Sequence, residues 1–313
     1  MLLITGATGF VGGALLGRLR AEGRSYRTAG QTRLGTEASA SGSFSADPGS
    51  QWTPLLSGCD AVVHLAARVH VMQELSALAL DAFRAVNVQG TAMLARQAAQ
   101  VGVRRFVFLS SVKVNGEGSV GHPYLERDLP CPRDAYGISK WEAEEVLREI
   151  ARETGLEIVI LRPPLVYGPG VKANFLRMMH WVQRGIPLPL GIVHNQRSIV
   201  YVGNLVDAIV RCIDHSAAAG ETFLVNDGDP VSTPQLLREI GDALDRPARL
   251  FPFPPAVLKI GATLMGRGED AARLLGDLVV DDSAIRTTLG WHPPFSRREG
   301  LAATAAWFRP GPR

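Results

Sequence analysis

The chain contains few cysteines and no long apolar run. Three cysteines, Cys59, Cys131 and Cys212, lie far apart among 313 residues and lack the spacing of metal ligands. They are typical of unpaired thiols in a reducing compartment, and we expect no metal site. No apolar segment approaches the roughly 20 residues that a membrane-spanning helix needs. The sequence opens on MLLITG, without the regions of a signal peptide, so we expect a cytoplasmic protein without a membrane span.

Clusters of charge are also absent. The net charge is +3 and charged residues make up 20% of the chain, against 46% hydrophobic residues, which is ordinary globular composition. A nucleic-acid-binding protein would concentrate basic side chains and place aromatic side chains between them, whereas the basic residues here are scattered. We therefore expect a small-molecule ligand and no nucleic-acid partner.

Lysine is the rarest charged residue, and one lysine has a suggestive position. Four lysines stand beside 29 arginines, and Lys140 lies four residues after Tyr136. That spacing places both side chains on one face of a helix. A Tyr-x-x-x-Lys pair arises by chance in roughly one such chain in sixteen, so it is a weak motif on its own.

Apolar segments alternate with helical patterns along the first half of the chain. CDAVVHLAA, RRFVFLSS and LEIVILRPP are typical of strands buried on both faces. Helices are predicted over about 79–100 and about 136–153, with Gly155 as the C-terminal stop of the second. This order predicts βαβ units and a mostly parallel sheet. Prolines and glycines crowd 163–191 and 251–268, which predicts a second, smaller region.

A glycine-rich turn follows the first predicted strand. Gly6, Gly9 and Gly12 form G-x-x-G-x-x-G directly before a helical pattern. Glycines at such a turn let the backbone approach a pyrophosphate, whose charge is favoured at the N-terminus of the helix. In an alternating α/β chain this arrangement predicts a dinucleotide-binding site.

Six motifs in order carry a family resemblance. They are TGATGFVG at the N-terminus, HLAA at 64–67, Asn87, SSVKVNG at 110–116, the Tyr136–Lys140 pair and LRPPLVYGPG at 161–170. Together they resemble the extended short-chain dehydrogenase/reductases, the NAD-dependent epimerase/dehydratase family, over essentially the whole chain. With VKANF and RSIVYVGNL the chain is most similar to bacterial nucleotide-sugar 4-epimerases and 4-ketoreductases of polysaccharide biosynthesis.

The resemblance implies an architecture and an assembly. We expect an α/β fold with a Rossmann-type doubly wound parallel sheet and a smaller C-terminal substrate-binding region. The dinucleotide-binding domain is predicted over 1–167 and is rejoined by about 199–226. The segments 168–198 and 227–313 are predicted to form mainly the substrate-binding region, and the family suggests a homodimer.

A catalytic group of three side chains is expected. Lys140 beside Tyr136, together with a cationic nicotinamide, should lower the pKa of the phenol and make it a usable base. Tyr136 can then remove a proton from a sugar hydroxyl or return one to a ketone. Ser111 follows a strand, where its hydroxyl could bond the reacting oxygen, although the adjacent Ser110 is an alternative.

The cofactor is predicted to be NAD or NADP. Arg33 follows the second predicted strand, where NAD-binding proteins usually have an acid, and an arginine there slightly favours the 2′-phosphate of NADP. His64 is expected to be a packed core histidine, and Asn87 to support the backbone of the site. The expected cofactor-binding residues are Gly6, Thr8, Gly9, Phe10, Val11, Gly12, Arg33, Asp47, Leu65, Ala66, Ala67, Tyr136, Lys140 and Pro163.

The substrate contacts expected from the resemblance involve four positions. Asn174 in VKANF and Arg197 in QRSIVYV would hold a uridine diphosphate, with Arg273 as a second phosphate ligand. Lys113 could hold a diphosphate or carbonyl oxygen, and equally could be a solvated loop lysine.

Three functions follow from these features. The first is an NAD(P)-dependent nucleotide-sugar 4-epimerase of the UDP-glucose 4-epimerase type, which works through a 4-keto intermediate. The second is an NAD(P)H-dependent 4-ketoreductase of a UDP-6-deoxy-4-keto sugar. The third is a non-catalytic dinucleotide-binding sensor, which the presence of both Tyr136 and Lys140 disfavours. A dehydratase would need an acid–base pair where Val112 and Lys113 stand.

Overall fold

A parallel sheet forms the centre of the protein. The computed structural model describes residues 1–29, 51–69, 77–119, 121–266 and 268–309. In these residues a six-stranded sheet has the order β2-β1-β3-β4-β5-β8, and β6 and β7 form a separate parallel pair. The strands are β1 Leu2–Thr5, β2 Tyr26–Ala29, β3 Ala61–His64, β4 Arg105–Leu109, β5 Glu157–Arg162, β6 Leu165–Tyr167, β7 Ile199–Tyr201 and β8 Thr222–Leu224.

The helices pack on both faces of this sheet and around the two-stranded pair. A π-helical turn, Ala85–Gly90, joins the third helix to the fourth, so the expected helix over 79–100 is continuous but not uniformly α-helical. The helices are α1 Phe10–Ala21, α2 Thr53–Leu56, α3 Ala77–Arg84, α4 Thr91–Gln100, α5 Ala135–Thr154, α6 Ala173–Gln183, α7 Val202–Asp214, α8 Thr233–Ala243, α9 Pro255–Leu264, α10 Gly268–Leu275, α11 Ser283–Leu289 and α12 Arg297–Phe308.

Strand β1 shows why the sheet needs two apolar layers. Its side chains alternate between the two faces. Leu2 and Ile4 join the cluster formed with α1, α7 and α11, while Leu3 joins the cluster formed with α2, α4 and α5. All three leucine and isoleucine side chains are buried. The continuous apolar runs seen in the sequence are thus strands covered on both faces.

The segment expected to rejoin the sheet divides between two places. Strand β8 pairs in parallel with β5, as expected, whereas β7 pairs with β6 outside the main sheet. Helix α7 packs against α1 and adds its apolar face to the sheet core. A third core cluster, built largely from α6 and α8, lies in the smaller region. The proposed division into a dinucleotide-binding and a substrate-binding region stays a prediction.

Helix α5 has clear boundaries and a buried polar anchor. Asp134 caps its N-terminus, since Oδ1 accepts from the Gly137 N–H at 2.7 Å, and Gly155 ends it with φ of 76°. Glu144, fully buried, accepts from Ser110 Oγ at 2.5 Å and from Arg162 Nη2 at 2.6 Å. This ion pair and hydrogen bond tie α5 to the ends of β4 and β5.

None of the helices within the described residues is both long and apolar enough to cross a membrane.

Removing the Glu144 carboxylate should destabilise the fold strongly. Arg162 is only 2% exposed, so Glu144→Ala leaves its guanidinium buried without this carboxylate. We expect the free energy of unfolding to fall by about 3–5 kcal/mol. Urea denaturation measures this fall. As a control, Glu153→Ala removes an ion pair to Arg96 whose side chains are 46% and 47% exposed, and it should change stability by less than about 1 kcal/mol. An equal effect of the two variants would contradict the assignment.

Candidate active site

The glycine turn is closely packed against the end of β3. Gly6 has φ of +71°, and a Cβ there would lie 2.6 Å from the Ala66 nitrogen. A Cβ on Gly12 would lie 2.2 Å from the Gly6 carbonyl oxygen. Gly9 precedes α1 and makes no side-chain cap, so the free N–H groups of the first helical turn point toward the loop. These features fit the anion-binding turn that the sequence predicts.

The turn lies at the carboxyl end of β1, where the order of the strands in the sheet reverses. Strand β1 is flanked by β2 and β3, and ligands of open α/β sheets bind outside the carboxyl ends of the strands at such a point. The Leu65 N–H donates to the Thr5 carbonyl at 3.2 Å, which brings the segment after β3 to the glycine turn. The Pro163 carbonyl accepts from the Val112 N–H at 3.0 Å at the ends of β5 and β4.

Most expected cofactor residues are therefore close to one edge of the sheet. Thr8, Phe10 and Val11 lie in or before the first turn of α1, and Leu65 to Ala67 directly follow β3. Arg33 and Asp47 lie outside the described residues, so their expected roles stay predictions. The glycine turn and the strand ends fit a bound dinucleotide, because the uncapped first turn of α1 offers backbone N–H groups to its phosphates.

His64 is a core residue, as the sequence predicts. It is fully buried and its Nδ1 lies 2.6 Å from Thr5 Oγ1, while its Nε2 lies 2.9 Å from Thr91 Oγ1. Its ring stacks on Phe108 with a centroid distance of 5.8 Å. Burial, together with the nearby charge of Lys140, lowers the pKa of His64 to about 3, so the ring is neutral at physiological pH.

Tyr136 and Ser111 meet at the carboxyl end of β4. Ser111 caps the short 3-10 helix Val112–Val114, and its side chain lies beside that of Tyr136, close enough to affect the pKa of the phenol. Burial and the Asp134 carboxylate raise the pKa of Tyr136 above its usual value, and the Ser111 side chain offsets only part of this. Burial dominates without a cofactor, so the lowering expected from Lys140 together with a cationic nicotinamide stays a prediction. The positive charge of a bound cofactor would have to supply the lowering.

Ser110 has a different role from Ser111. Its hydroxyl donates to the buried Glu144 carboxylate, whereas Ser111 interacts with Tyr136. The arrangement favours Ser111 as the serine that faces the reacting oxygen.

Lys140 is buried beside the same strand end. Its Nζ donates to the Leu109 carbonyl at 2.7 Å and lies 4.3 Å from the centroid of the Phe108 ring. It is only 2% exposed. Burial lowers the pKa of Lys140 to about 7, and the Glu144 carboxylate opposes this shift. A carbonyl, a ring face and a carboxylate thus stabilise the ammonium in an apolar setting.

Asn87 supports the backbone of the site, in the place expected. Its Oδ1 accepts from the Arg68 N–H at 2.8 Å, and its Nδ2 donates to the Arg68 carbonyl at 3.1 Å and to Ser139 Oγ at 3.0 Å. The π-helical turn that carries Asn87 is therefore tied to the segment after β3 and to helix α5.

Three of the four expected substrate residues converge on Glu117. Lys113 Nζ donates to Glu117 Oε1 at 2.9 Å and also forms an ion pair with Asp134. Arg273 Nε lies 4.0 Å from Glu117 Oε2. Arg197 Nη1 donates to the Gly276 carbonyl at 3.0 Å. Burial lowers the pKa of Arg197, and the nearby carboxylates of Asp277 and Glu117 oppose this shift. Positions far apart in sequence thus form one cationic group around a carboxylate.

Asn174 makes its contact on helix α6 and not with Glu117. Its Oδ1 accepts from Arg177 on helix α6. The preceding residue, Ala173, has a positive φ of 53°, which is uncommon outside glycine.

Two carboxylates at the site were missed from the sequence. Glu117 follows the SSVKVNG motif, and Asp134 precedes Tyr136 by two residues. Asp134 carried a signal, because an aspartate directly before a helical pattern predicts an N-cap. No local pattern indicated that Glu117 lies among three cations, since that arrangement depends on contacts between distant segments.

A family model decides the classification. The model described as "NAD dependent epimerase/dehydratase family" matches residues 2–226, well over half of the chain. The chain belongs to this family. The predicted family, enzyme class and Rossmann-type fold are confirmed.

Individual relatives agree with this classification. The chain is 45% identical to a UDP-glucose 4-epimerase of Vibrio cholerae, over 98% of this chain and 95% of the relative. It is 32% identical to an N-acetyl-alpha-D-glucosaminyl-diphospho-ditrans,octacis-undecaprenol 4-epimerase of Escherichia coli O157:H7, over 65% of this chain and 61% of the relative.

Solved structures match the whole chain. MoeE5 in complex with UDP-glucose and NAD is 25% identical, with a TM-score of 0.78 over 98% of this chain and 97% of that one. A short-chain dehydrogenase/reductase superfamily protein from Agrobacterium tumefaciens with bound NAD is 27% identical, with a TM-score of 0.75 over the same shares of the two chains.

Substituting Gly12 should impair dinucleotide binding in this family member. The Cβ of Gly12→Ala would collide with the Gly6 carbonyl, so the turn must open. We expect the dissociation constant for NAD to rise at least tenfold, which calorimetry measures. Gly13→Ala is the matched control, because a Cβ there meets nothing within 4 Å. Equal NAD affinity of the two variants would contradict this account of the turn.

Burial of Lys140 should make stability depend on pH. Its pKa is lowered to about 7, whereas a lysine in an unfolded chain titrates near 10.4. Between these values the unfolded state binds more protons, so the free energy of unfolding should increase with pH. For cofactor-free protein we expect a gain of about 2 kcal/mol between pH 7 and pH 9 relative to Lys140→Met. Urea denaturation at both pH values tests this, and a parallel pH dependence of the two proteins would refute it.

Proposed function

We propose that the protein is a UDP-sugar 4-epimerase that interconverts UDP-glucose and UDP-galactose. The observation that carries this proposal is that the Ser111–Tyr136 pair, Lys140 on the Leu109 carbonyl and the glycine turn all lie at the carboxyl ends of strands of one sheet. The Vibrio cholerae relative, which is named a UDP-glucose 4-epimerase, supports the reaction and the substrate.

Tyr136 is the acid–base group of the reaction. As a phenolate it removes the proton of the C4 hydroxyl. After the 4-keto sugar has rotated in the site, the phenol returns a proton to the 4-keto oxygen. Ser111 orients the same oxygen by hydrogen bonding. Lys140 supplies a positive charge beneath the site, and Glu144 helps to keep it protonated despite burial.

The glycine turn and the ends of β1, β3 and β5 would hold NAD. When bound, NAD would supply a reversible hydride acceptor for C4 of the sugar, so the reaction would involve no net oxidation. The preference for NADP expected from Arg33 stays a prediction, and separate measurements of the affinity for NAD and NADP test it.

The cationic group would hold the substrate diphosphate. Arg197 is half-buried and presents a guanidinium, which suits bidentate phosphate recognition. Arg273 and Lys113 flank the same position around Glu117. Asn174 is proposed to bind the uracil side of the nucleotide. A homodimer and a cytoplasmic location are further predictions from the resemblance.

Incubation with UDP-glucose tests the reaction directly. We expect conversion to UDP-galactose, measured by chromatography, without net consumption of cofactor. Tyr136→Phe should lower kcat by about 10²–10⁴-fold, because it removes the group that transfers the proton.

Two outcomes would contradict the proposal. One is the absence of any C4 epimer from UDP-glucose or UDP-N-acetylglucosamine when NAD is added. The other is stoichiometric loss of reduced cofactor when a UDP-6-deoxy-4-keto sugar is supplied, which would favour the ketoreductase.

Neutralising Glu117 should improve binding of the nucleotide. Its carboxylate lies among the three cations, so it repels a diphosphate and must give up its contacts when one binds. We expect Glu117→Gln to lower the dissociation constant for UDP several-fold, measured by calorimetry. Glu153→Gln, far from the site on α5, is the control and should bind UDP as the unmodified protein does. Weaker binding by Glu117→Gln would mean that Glu117 mainly organises the cations.

A further inference from the structure

Helix α9 exposes an apolar surface that the proposed function does not use. None of its residues is buried, although it is among the most apolar helices of the chain. The large apolar side chains of this helix and its flanks are exposed to between 41% and 84%, and they are Phe251, Val257, Ile260, Leu264 and Met265. An amphipathic helix of a water-soluble protein normally turns such residues toward its own core.

The face of α9 that carries Leu258 packs against the protein and fixes the orientation of the helix. Leu258 is half-buried and packs against the core cluster of the smaller region. At 100° per residue, Val257, Ile260 and Leu264 lie within about 60° of one another, on the side away from Leu258. The helix is thus anchored through Leu258, and three branched aliphatic side chains point outward together.

The apolar surface continues beyond the helix. Segment 186–192 runs beside 249–251, because the Leu188 N–H donates to the Arg249 carbonyl at 2.8 Å and the Gly191 N–H donates to the Phe251 carbonyl at 3.0 Å. This pairing places Gly191 against Phe251, and the first segment ends in Ile186 and Ile192, which are 37% and 39% exposed. The patch therefore spans α9 and two adjoining extended segments. We call it the α9 surface.

Positive charge accompanies the α9 surface. Segments 184–192 and 246–266 contain no aspartate or glutamate, and their cations are Arg184, Arg246, Arg249 and Lys259. All four are exposed. Arg249 and Phe251 lie on the same side of their extended segment, since side chains alternate there. Arg246 and Arg249 both lie beside Gly185, because a Cβ on this glycine would be 3.4 Å from Arg246 Nη2 and 3.8 Å from Arg249 Nε.

We propose that the α9 surface docks on the surface of an anionic lipid bilayer. Aliphatic side chains flanked by arginine and lysine are the pattern by which helices lie in the headgroup region of membranes. A second copy of the chain fits less well, because a two-fold interface would place the same four cations against one another. Helix α9 packs on α10, which carries Arg273, so docking would bring the membrane close to the proposed diphosphate site.

Sedimentation with lipid vesicles tests the proposal. The probes are vesicles of phosphatidylglycerol mixed with phosphatidylcholine and vesicles of phosphatidylcholine alone. We expect the protein to sediment with the first kind at least tenfold more strongly than with the second. The double variant Ile260→Ser/Leu264→Ser should lose at least tenfold of this binding. Leu129→Ser is the matched control, because Leu129 is 90% exposed and lies outside the α9 surface, and it should bind as before.

Charge reversal gives a second, independent variant. Arg249→Glu/Lys259→Glu leaves the apolar side chains in place and should also weaken binding to phosphatidylglycerol vesicles. The proposal is overturned if the unmodified protein stays in the supernatant with anionic vesicles, or if both double variants sediment as it does. Neither variant changes a residue of the active site, so each should epimerise UDP-glucose at the original rate, and a failure of docking is thereby distinguished from a failure of the proposed function.

Discussion

The buried carboxylate of Glu144 joins helix α5 to the sheet, and the arrangement of the active site depends on this contact. Glu144 receives the Arg162 guanidinium from β5 and the Ser110 hydroxyl from the end of β4. Because these partners come from two neighbouring strands, the helix cannot slide or rotate without leaving a charge unpaired in the interior. Tyr136 and Lys140 occupy the two turns of the helix before Glu144. The contacts of Glu144 therefore fix the positions of Tyr136 and Lys140 relative to the strand ends.

The same packing that fixes these residues also sets their charge states. An apolar layer of sheet residues surrounds Lys140, and burial lowers its pKa while it raises that of Tyr136. Both shifts oppose the ionised forms that proton transfer would use. Glu144, the Phe108 ring and the Leu109 carbonyl favour the ammonium. For the phenolate, Ser111 is the one stabilising partner found in the described part of the chain. A tyrosine in this setting stays protonated near neutral pH until a further positive charge binds beside it. Proton transfer would therefore depend on the presence of an oxidised nicotinamide.

The sequence alone predicted the parts of this account that depend on local patterns. The glycine turn, the buried strands, the bounds of α5 and the core role of His64 follow from spacing and apolar runs, and the structure agrees with them. Contacts between distant segments were not predictable in this way. Strand β7 pairs with β6 and not with the main sheet, and Glu117 lies among cations from three separate segments. The raised pKa of Tyr136 in the cofactor-free protein was also not predictable, because a Tyr-x-x-x-Lys pattern encodes proximity along a helix and not the degree of burial.

The most direct measurement is an ultraviolet difference titration of Tyr136, taken as the spectrum of the unmodified protein minus that of Tyr136→Phe. Without cofactor, we predict no phenolate absorbance from Tyr136 below about pH 10, because the protein alone raises its pKa above the usual value. With saturating NAD, the ionisation should move to lower pH. Phenolate absorbance near neutral pH in the cofactor-free protein, or a titration that NAD leaves unchanged, would contradict the account.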